Sequence, residues 1–147
     1  MQNYFTGEFT HTSRHIFKGT NGAETIIGSI VNDALRGDGG NDILRAGAGD
    51  DVVYGGLGDD VLYGGEGDDV INGGYGNDIL IGGAGEDRFF INAGVNIIAD
   101  FDLKGGDNIC LGKHLTNVEF VQDGNNVVVI SDQGVTTILN NVVNDIV

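Results

Sequence analysis

The chain has 147 residues, the length of one domain, and contains 27 glycines but no proline or tryptophan. Its 22 acidic and seven basic residues give a net charge of -15, which repels phosphate backbones and anionic membrane surfaces. Nucleic acids and membranes are therefore not expected partners, whereas hard divalent cations, which prefer oxygen ligands, are favoured. Hydrophobic residues make up 40% of the chain, so its glycine content does not indicate a flexible linker.

Cysteine content and apolar runs exclude further classes. The single cysteine, Cys110, excludes an intramolecular disulfide framework and a Cys/His zinc motif. The segment Met1–Thr20 is polar and lacks the apolar core of a secretory signal peptide, and no apolar run long enough to span a membrane follows it. We therefore expect neither Sec-dependent export nor insertion into a membrane.

Residues 1–18 are predicted to form an N-terminal cap on the repeat array that follows them. The segment Thr10–Lys18 keeps the nine-residue register of that array, with Phe17 at its apolar place. His15 stands where the repeats have aspartate, and the segment has no glycine, so we expect it to be free of metal. Ligation by His11 and His15 is the alternative, but a structural or solvated role is favoured for both.

Residues 19–99 form an array of nine-residue units. The seven clearest units begin at Gly28, Gly37, Ala46, Gly55, Gly64, Gly73 and Gly82. The sixth place of each unit is aspartate, namely Asp33, Asp42, Asp51, Asp60, Asp69, Asp78 and Asp87. The eighth place is always a large apolar residue, namely Leu35, Leu44, Val53, Leu62, Ile71, Leu80 and Phe89. Two weaker units, 19–27 and 91–99, flank these seven and carry Glu24 and Asn96 at the sixth place.

This pattern predicts a narrow coil. Six residues that turn and three that extend make half a coil, with glycine supplying positive φ, so two consecutive units complete one coil. The extended residues stack into two parallel sheets whose eighth-place side chains meet in a single core column. The predicted fold is all-β: a parallel β-roll, or right-handed β-solenoid with two short-stranded sheets, followed by a C-terminal antiparallel β cap. Aspartates two units apart share an edge and repel one another.

The repeat, Gly-Gly-x-Gly-x-Asp-x-apolar-x, resembles the RTX (repeats in toxin) family, and the resemblance covers residues 19–111. It implies that each Ca²⁺ ion lies between two turns of one edge, held by both sixth-place carboxylates and by backbone carbonyls of turn residues. The implied pairs are Asp42 with Asp60, Asp51 with Asp69, Asp60 with Asp78, and Asp69 with Asp87. A further pair, Asp33 with Asp51, is weaker because the turn before Asp33 lacks the repeat glycines.

The turn residues that the resemblance assigns to calcium are glycines, namely Gly37, Gly49, Gly55, Gly56, Gly58, Gly64, Gly65, Gly67, Gly73, Gly74, Gly76, Gly82, Gly83 and Gly85. Residues 28–90 carry 13 acidic and three basic side chains, and about five divalent ions would neutralise their net charge. We therefore expect four to six Ca²⁺ ions. The chain is expected to be largely unfolded at cytosolic calcium and to fold outside the cell, the alternative being an acidic solenoid that needs no metal.

Residues 100–147 are predicted to form the C-terminal β cap. A run that resembles the closing segment of many RTX arrays places Phe101, Ile109 and Leu111 over the open end of the core. Its acidic residues Asp100, Asp102 and Asp107 would hold one further ion or cap turns. Hairpins are predicted from three apolar runs separated by turn residues, namely Val118–Val121, Val127–Ile130 and Val135–Leu139.

The last four residues, Asn144–Val147, resemble the tail of RTX exoproteins that leave the cell by type I secretion. Together with the absent Sec signal, this resemblance implies transient binding to a type I secretion ABC transporter and a secreted, extracellular protein.

Three classes of function stay open. No HExxH or GxSxG motif is present, so an enzyme is not predicted, although the chain could be the C-terminal non-catalytic module of a secreted enzyme. A secreted calcium-binding module that folds on binding Ca²⁺ is the first choice. The third class is a self-assembling protein of a matrix, surface layer or filament. Ile43, Val61 and Ile79 form an apolar column on one outer face of the predicted roll. We expect this column to be covered either by a second copy of the chain or by the C-terminal hairpins folded back over it.

Overall fold

The computed structural model of the protein describes residues 2–3, 14–123 and 126–138. The predictions for His11 and for the tail Asn144–Val147 lie outside these residues. Within them the chain forms strands only, and no helix is long or apolar enough to cross a membrane. The strands are β1 (Gln2–Asn3), β2 (His15–Lys18), β3 (Thr25–Ile27), β4 (Asp33–Gly39), β5 (Ile43–Ala48), β6 (Val52–Leu57), β7 (Val61–Glu66), β8 (Val70–Tyr75), β9 (Ile79–Ala84), β10 (Arg88–Ile91), β11 (Gly94–Ile98), β12 (Asn108–Leu111), β13 (Glu119–Asp123), β14 (Asn126–Ser131) and β15 (Gly134–Ile138).

The strands alternate between two sheets. One sheet has the order β1-β3-β5-β7-β9-β11-β15-β14-β13, and the other has the order β12-β10-β8-β6-β4-β2. Each strand of the array pairs in parallel with the strand two repeat units further along, so that Leu44 lies opposite Leu62 and Val53 lies opposite Ile71. The predicted parallel β-roll with two sheets is therefore confirmed.

The strands are longer than the predicted three residues. Strands β5 to β9 each have six residues, because the first three residues of the next unit continue the pairing. Gly47 lies opposite Gly65, and Ala48 lies opposite Glu66, beyond the point where the sequence pattern predicts a turn. The turns of successive coils therefore stack on one another as closely as the strands do, and each edge of the roll is an ordered ladder of backbone.

The core is one side chain wide along the array. All seven eighth-place residues, from Leu35 to Phe89, are 2% exposed or less. Phe17 and Ile26 close the column at its N-terminal end, and Phe101 is buried beside Phe89 at the other, with ring centroids 6.1 Å apart. This confirms the predicted core column and the role of Phe101.

The other two residues predicted to cover the end of the core, Ile109 and Leu111, differ in burial. Ile109 packs against the core, but Leu111 is 40% exposed, so the prediction that Leu111 covers the core is wrong. Leu111 pairs with Ile91 at the end of β12, an edge strand of the six-stranded sheet with no strand beyond it among the described residues.

The C-terminal strands β13, β14 and β15 form the predicted antiparallel meander. Strand β15 pairs in parallel with β11, so the meander extends the nine-stranded sheet within its own plane. It does not fold back over the apolar column, where Ile43 and Ile79 are each 38% exposed among the described residues. The alternative that the hairpins cover this column is therefore wrong, because β15 finds its partner at the sheet edge and completes the core with Ile138.

Candidate metal centres

The sixth-place aspartates line the two edges of the roll and are almost completely buried, at 1% exposure or less. From Asp42 to Asp87, one carboxylate oxygen of each accepts a hydrogen bond from the backbone N–H of the sixth-place residue two units earlier. On one edge Asp60 Oδ1 accepts from Asp42 N at 2.8 Å, and Asp78 Oδ1 accepts from Asp60 N at 3.0 Å. The other edge repeats this, with Asp69 Oδ1 2.8 Å from Asp51 N. These bonds hold each carboxylate in one orientation.

The second oxygen of these carboxylates has no partner. Six Oδ2 atoms are buried without a hydrogen bond, those of Asp42, Asp51, Asp60, Asp69, Asp78 and Asp87. A buried acceptor left unsatisfied is costly, and a buried anionic one more so. Six such atoms, three on each edge and spaced one coil apart, form a regular set of buried acceptors without a donor. Oxygen acceptors that carry charge and face no donor fit a hard cation such as Ca²⁺.

The environment raises the pKa of these carboxyl groups in the fold without metal. Burial is the main cause, and neighbouring carboxylates add to it, so that the pKa of Asp60 and of Asp69 rises from 3.8 to about 7. The same causes raise the pKa of Asp51 and of Asp87 to about 6, and burial likewise raises the pKa of Asp78 to about 6. The metal-free fold therefore disfavours its own ionised carboxylates at neutral pH, which a bound cation would reverse.

The first glycine of each repeat makes room for the unpaired oxygen. A Cβ atom added at Gly55 would lie 2.3 Å from Asp60 Oδ2, and one added at Gly64 would lie 2.3 Å from Asp69 Oδ2. The same close approach occurs at Gly37, Gly73 and Gly82. Among the seven clear units, only the one that contains Asp51 begins with a residue other than glycine. That residue, Ala46, is buried.

The other predicted site glycines bring the turns of neighbouring coils together. All of them have φ between +99° and +126°, namely Gly49, Gly56, Gly58, Gly65, Gly67, Gly74, Gly76, Gly83 and Gly85. At Gly65 an added Cβ would lie 1.9 Å from the carbonyl oxygen of Gly47 on the coil before. Carbonyl oxygens of consecutive turns therefore stack along the same edges as the unpaired carboxylate oxygens.

Replacing Gly65 with alanine is expected to destabilise the roll. The positive φ alone costs about 1–3 kcal/mol for a residue with a side chain, and the Cβ would also clash with the Gly47 carbonyl. The matched control is Gly39→Ala, because Gly39 has no positive φ and its added Cβ would meet nothing closer than 3.5 Å. Thermal unfolding in millimolar calcium measures both, and equal melting temperatures for the two variants would contradict this interpretation of the turns.

Asp33 differs from the other sixth-place aspartates. Its Oδ2 accepts hydrogen bonds from the backbone N–H and the hydroxyl of Ser29, at 2.6 and 2.8 Å. Its Oδ1 lies 3.1 Å from His15 Nδ1. Both oxygens of Asp33 are therefore occupied, and the histidine that the sequence places in the aspartate register stands at the N-terminal end of this edge.

The ends of the other ladders are also satisfied by protein groups. Asn96 Oδ1 accepts from Asp78 N at 2.9 Å, so an asparagine continues the aspartate ladder. Asp107 accepts from Asp87 N at 2.9 Å and from Asp102 N at 2.7 Å. The two oxygens of Asp100 accept from the backbone N–H groups of Gly82 and Gly83, at 2.9 and 2.8 Å. Of the two roles left open for these C-terminal acids, turn capping is the one with observed contacts.

A second ladder, which the sequence analysis missed, runs along the fifth places. Here the side-chain oxygen of a fifth-place residue accepts a hydrogen bond from the backbone N–H of the fifth-place residue on the next coil. Asp50 Oδ1 accepts from Asp68 N at 3.0 Å, and Asp59 Oδ1 accepts from Asn77 N at 2.9 Å. The direction is opposite to that of the sixth-place ladder. The signal was present in the sequence, since the fifth place holds only Asn, Asp or Glu. Unlike the sixth-place bonds, these bonds are exposed to solvent.

Side-chain ligands alone do not complete a metal centre. In the part of the chain that the structure describes, no group of three or more His, Cys, Asp or Glu side chains is arranged to hold an ion. Calcium takes six to eight oxygen ligands, so any ion at these edges needs backbone carbonyls in addition to carboxylates. The stacked turns are the nearest source of them.

Comparisons with known proteins identify the repeats. The model of the RTX calcium-binding nonapeptide repeat matches four times, at residues 18–53, 27–62, 54–89 and 63–98. A search of the curated proteins finds no match. Among solved structures, the extracellular lipase LipA from Serratia marcescens is similar over 95% of this chain, with 16% sequence identity and a TM-score of 0.44. This chain spans 40% of that lipase chain. Because the family matches run through residues 18–98, more than half of its length, the protein belongs to the family with RTX calcium-binding nonapeptide repeats.

Proposed function

We propose that the chain is a non-catalytic module that binds about six Ca²⁺ ions along the two edges of its roll and folds as it binds them. The observation that carries the proposal is the set of six buried Oδ2 atoms without a partner, three on each edge. Each is assigned to one ion, with the side chain that continues its ladder on the next coil and turn carbonyls completing the ligands; that side chain is a carboxylate for every one except Asp78, where it is Asn96. Asp33 lies outside this set, since Ser29 and His15 occupy its oxygens.

Calcium would contribute a large part of the stability. With a loop affinity of roughly 10⁻⁴ M and millimolar calcium, each ion contributes about 1.4 kcal/mol, and six contribute about 8 kcal/mol. That sum is comparable to the whole stability of a small domain, about 5–15 kcal/mol. Without the ions, a roll that must bury six charged acceptors is disfavoured. The module is therefore unfolded at cytosolic calcium and folded outside the cell.

This difference between compartments fits a secreted protein that crosses the cell envelope unfolded. We propose export by a type I system with its ABC transporter, on the basis of the family membership. Folding would then be triggered by arrival outside the cell, where extracellular calcium keeps the equilibrium on the side of the ion-bound roll.

A calcium titration of metal-depleted protein tests the proposal. Far-UV circular dichroism is expected to change from coil to β-sheet, and calorimetry is expected to count about six ions per chain. Magnesium at the same concentration serves as the control, since its small octahedral shell does not suit six to eight ligands at calcium distances. A metal-depleted protein that keeps its β-sheet signal at pH 8 would contradict the proposal and favour a rigid acidic solenoid.

Self-assembly is the second candidate function, and one observation favours it. The column of Ile43, Val61 and Ile79 continues to Ile97 along one sheet face, where the described isoleucines are 37–38% exposed. In the calcium-loaded state this face is expected to pair with a second copy of the chain. The double variant Val61→Thr/Ile79→Thr should then lower the mass measured by light scattering. The matched control is Val52→Thr/Val70→Thr at the same repeat places of the other sheet, and equal masses for the two variants would contradict this function.

A further inference from the structure

A groove on the outer face of the six-stranded sheet is separate from the calcium edges. It has a volume of about 420 Å³, within the range of about 300–1,000 Å³ that is typical of small-molecule sites. Tyr54 and Asn72 form part of its floor, as ninth-place residues that lie opposite each other on β6 and β8. Tyr75 stands at the end of β8 and is 59% exposed. The groove is therefore built on the rigid strands of the roll.

The far wall comes from the last, weaker unit of the array and from segments that follow it. Asn92 follows β10, His114 follows β12, and Gln133 lies between β14 and β15. Backbone hydrogen bonds fasten this wall to the roll: Gly112 N donates to Ile91 O at 2.9 Å, and Gly94 N donates to Gln133 O at 2.9 Å. The wall is thus held in place by the fold itself.

Inside the groove, one contact sets the direction of the amide groups. Asn92 Nδ2 donates to Asn72 Oδ1 at 2.6 Å, which leaves the Asn72 side-chain nitrogen as a donor. The guanidinium of Arg36 lies 5.6 Å from the centre of the Tyr54 ring and restricts that ring from the side of β4. The groove therefore presents aromatic rings and oriented amides together.

The composition of the groove departs from that of the chain. The whole chain has 22 acidic residues, yet the described lining residues include no carboxylate, ammonium or guanidinium group. A metal ion or a charged ligand would find no counter-charge there, and an anion would be repelled by the net charge of -15. A purely apolar ligand would leave the amide and imidazole groups without hydrogen bonds.

We propose that this groove binds a neutral saccharide. A pyranose ring has an apolar C–H face that packs on a tyrosine ring, and hydroxyl groups at its rim that pair with amide and imidazole groups. Tyr75 and Tyr54 supply the packing surfaces, and Asn72, His114 and Gln133 supply the polar contacts. This activity is additional to calcium binding and uses none of the aspartates proposed as calcium ligands, although the turn residue Gly74 also lines the groove.

Titration of the calcium-loaded full chain, labelled with ¹⁵N, tests the proposal. The probes are neutral hexasaccharides of β-glucan, α-glucan, mannan and galactan, with an alginate hexamer as the anionic contrast. At least one neutral probe is expected to shift the amide signals of residues 72–75, 92–93 and 112–115, and the alginate hexamer is not. Binding of no neutral probe, or of alginate alone, would overturn the proposal.

Variants separate the groove from the fold. Tyr75→Ala is expected to weaken binding about tenfold through loss of ring packing, and Tyr75→Phe is expected to retain most of it. Tyr63→Ala is the control for the loss of a tyrosine outside the groove, because Tyr63 lies on the opposite sheet and does not line the groove. Equal affinity of the Tyr75→Ala and Tyr63→Ala variants would contradict the site. Circular dichroism in the presence of calcium measures folding separately. Loss of saccharide binding by a folded variant therefore tests the groove, whereas failure of the parent protein to fold with calcium would count against the calcium proposal.

Discussion

Acid is expected to fold the metal-depleted protein without calcium. Burial, with smaller contributions from neighbouring carboxylates, raises the pKa of Asp60 and of Asp69 from 3.8 to about 7 in the metal-free fold. In the unfolded chain these groups titrate near 3.8, so between that value and about 7 the folded chain binds more protons than the unfolded chain. Lowering the pH through this window therefore stabilises the fold, and raising the pH through about 6–7 removes that stability.

The measurement is far-UV circular dichroism from pH 8 to pH 5 on protein stripped by a chelating resin, since soluble chelators lose calcium affinity in acid. The lower limit stays above the isoelectric point of about 4.1 to avoid precipitation. We expect a coil signal at pH 8 and most of the β-sheet signal at pH 5, with a midpoint between 6 and 7. Added calcium should change the signal strongly at pH 8 and little at pH 5. A metal-free signal that does not depend on pH would contradict the buried-carboxylate account.

The sequence predicted the roll well because its core and edge residues recur at a fixed spacing of nine. An apolar residue every ninth place and an aspartate two places before it fix the core column and the edges, as Leu62 and Asp60 illustrate. The turn length was predicted less well. Gly47 and Gly65 pair beyond the predicted strand end because glycines let adjacent backbones approach, and a contact between coils is not visible within one unit.

The sequence singled out the buried aspartates of the two edges but not all of their contacts. The missing repeat glycines marked the pair of Asp33 with Asp51 as weaker, yet only the contacts of Asp33 with Ser29 and His15 show that both of its oxygens are occupied, unlike the six with an unpaired oxygen. Ser29 belongs to the same unit as Asp33, but His15 lies two units earlier, and no local pattern encodes a contact over that distance. The groove around Tyr75 was not predicted at all, because it combines two coils with segments near residues 92, 114 and 133.

Replacing Asp60 and Asp69 together with asparagine is expected to have opposite effects with and without calcium. Asparagine keeps an acceptor for the backbone ladder, as Asn96 shows by accepting from Asp78 N at 2.9 Å. The unpaired oxygen, however, becomes an amide nitrogen that carries no charge and cannot bind a cation. With calcium, the two ions assigned to Asp60 and Asp69 are lost, and the two ions assigned to Asp42 and Asp51 each lose a carboxylate of the next coil, so stability at millimolar calcium falls by at least about 3 kcal/mol.

Without calcium the sign reverses, because the double variant no longer buries two carboxylates that burial and like charges disfavour. The variant should therefore show more β-sheet than the parent protein in metal-free buffer at pH 8, while calorimetry counts at most about four ions instead of about six. The double variant Asp59→Asn/Asp68→Asn is the matched control, because it removes the same amount of charge from exposed fifth-place residues. Asparagine at these places can still accept the hydrogen bonds from Asn77 N and Glu86 N. If both double variants behave alike, net charge and not the unpaired buried oxygens governs folding. Opposite effects confined to the sixth-place variant would tie the calcium dependence of this roll to those oxygens.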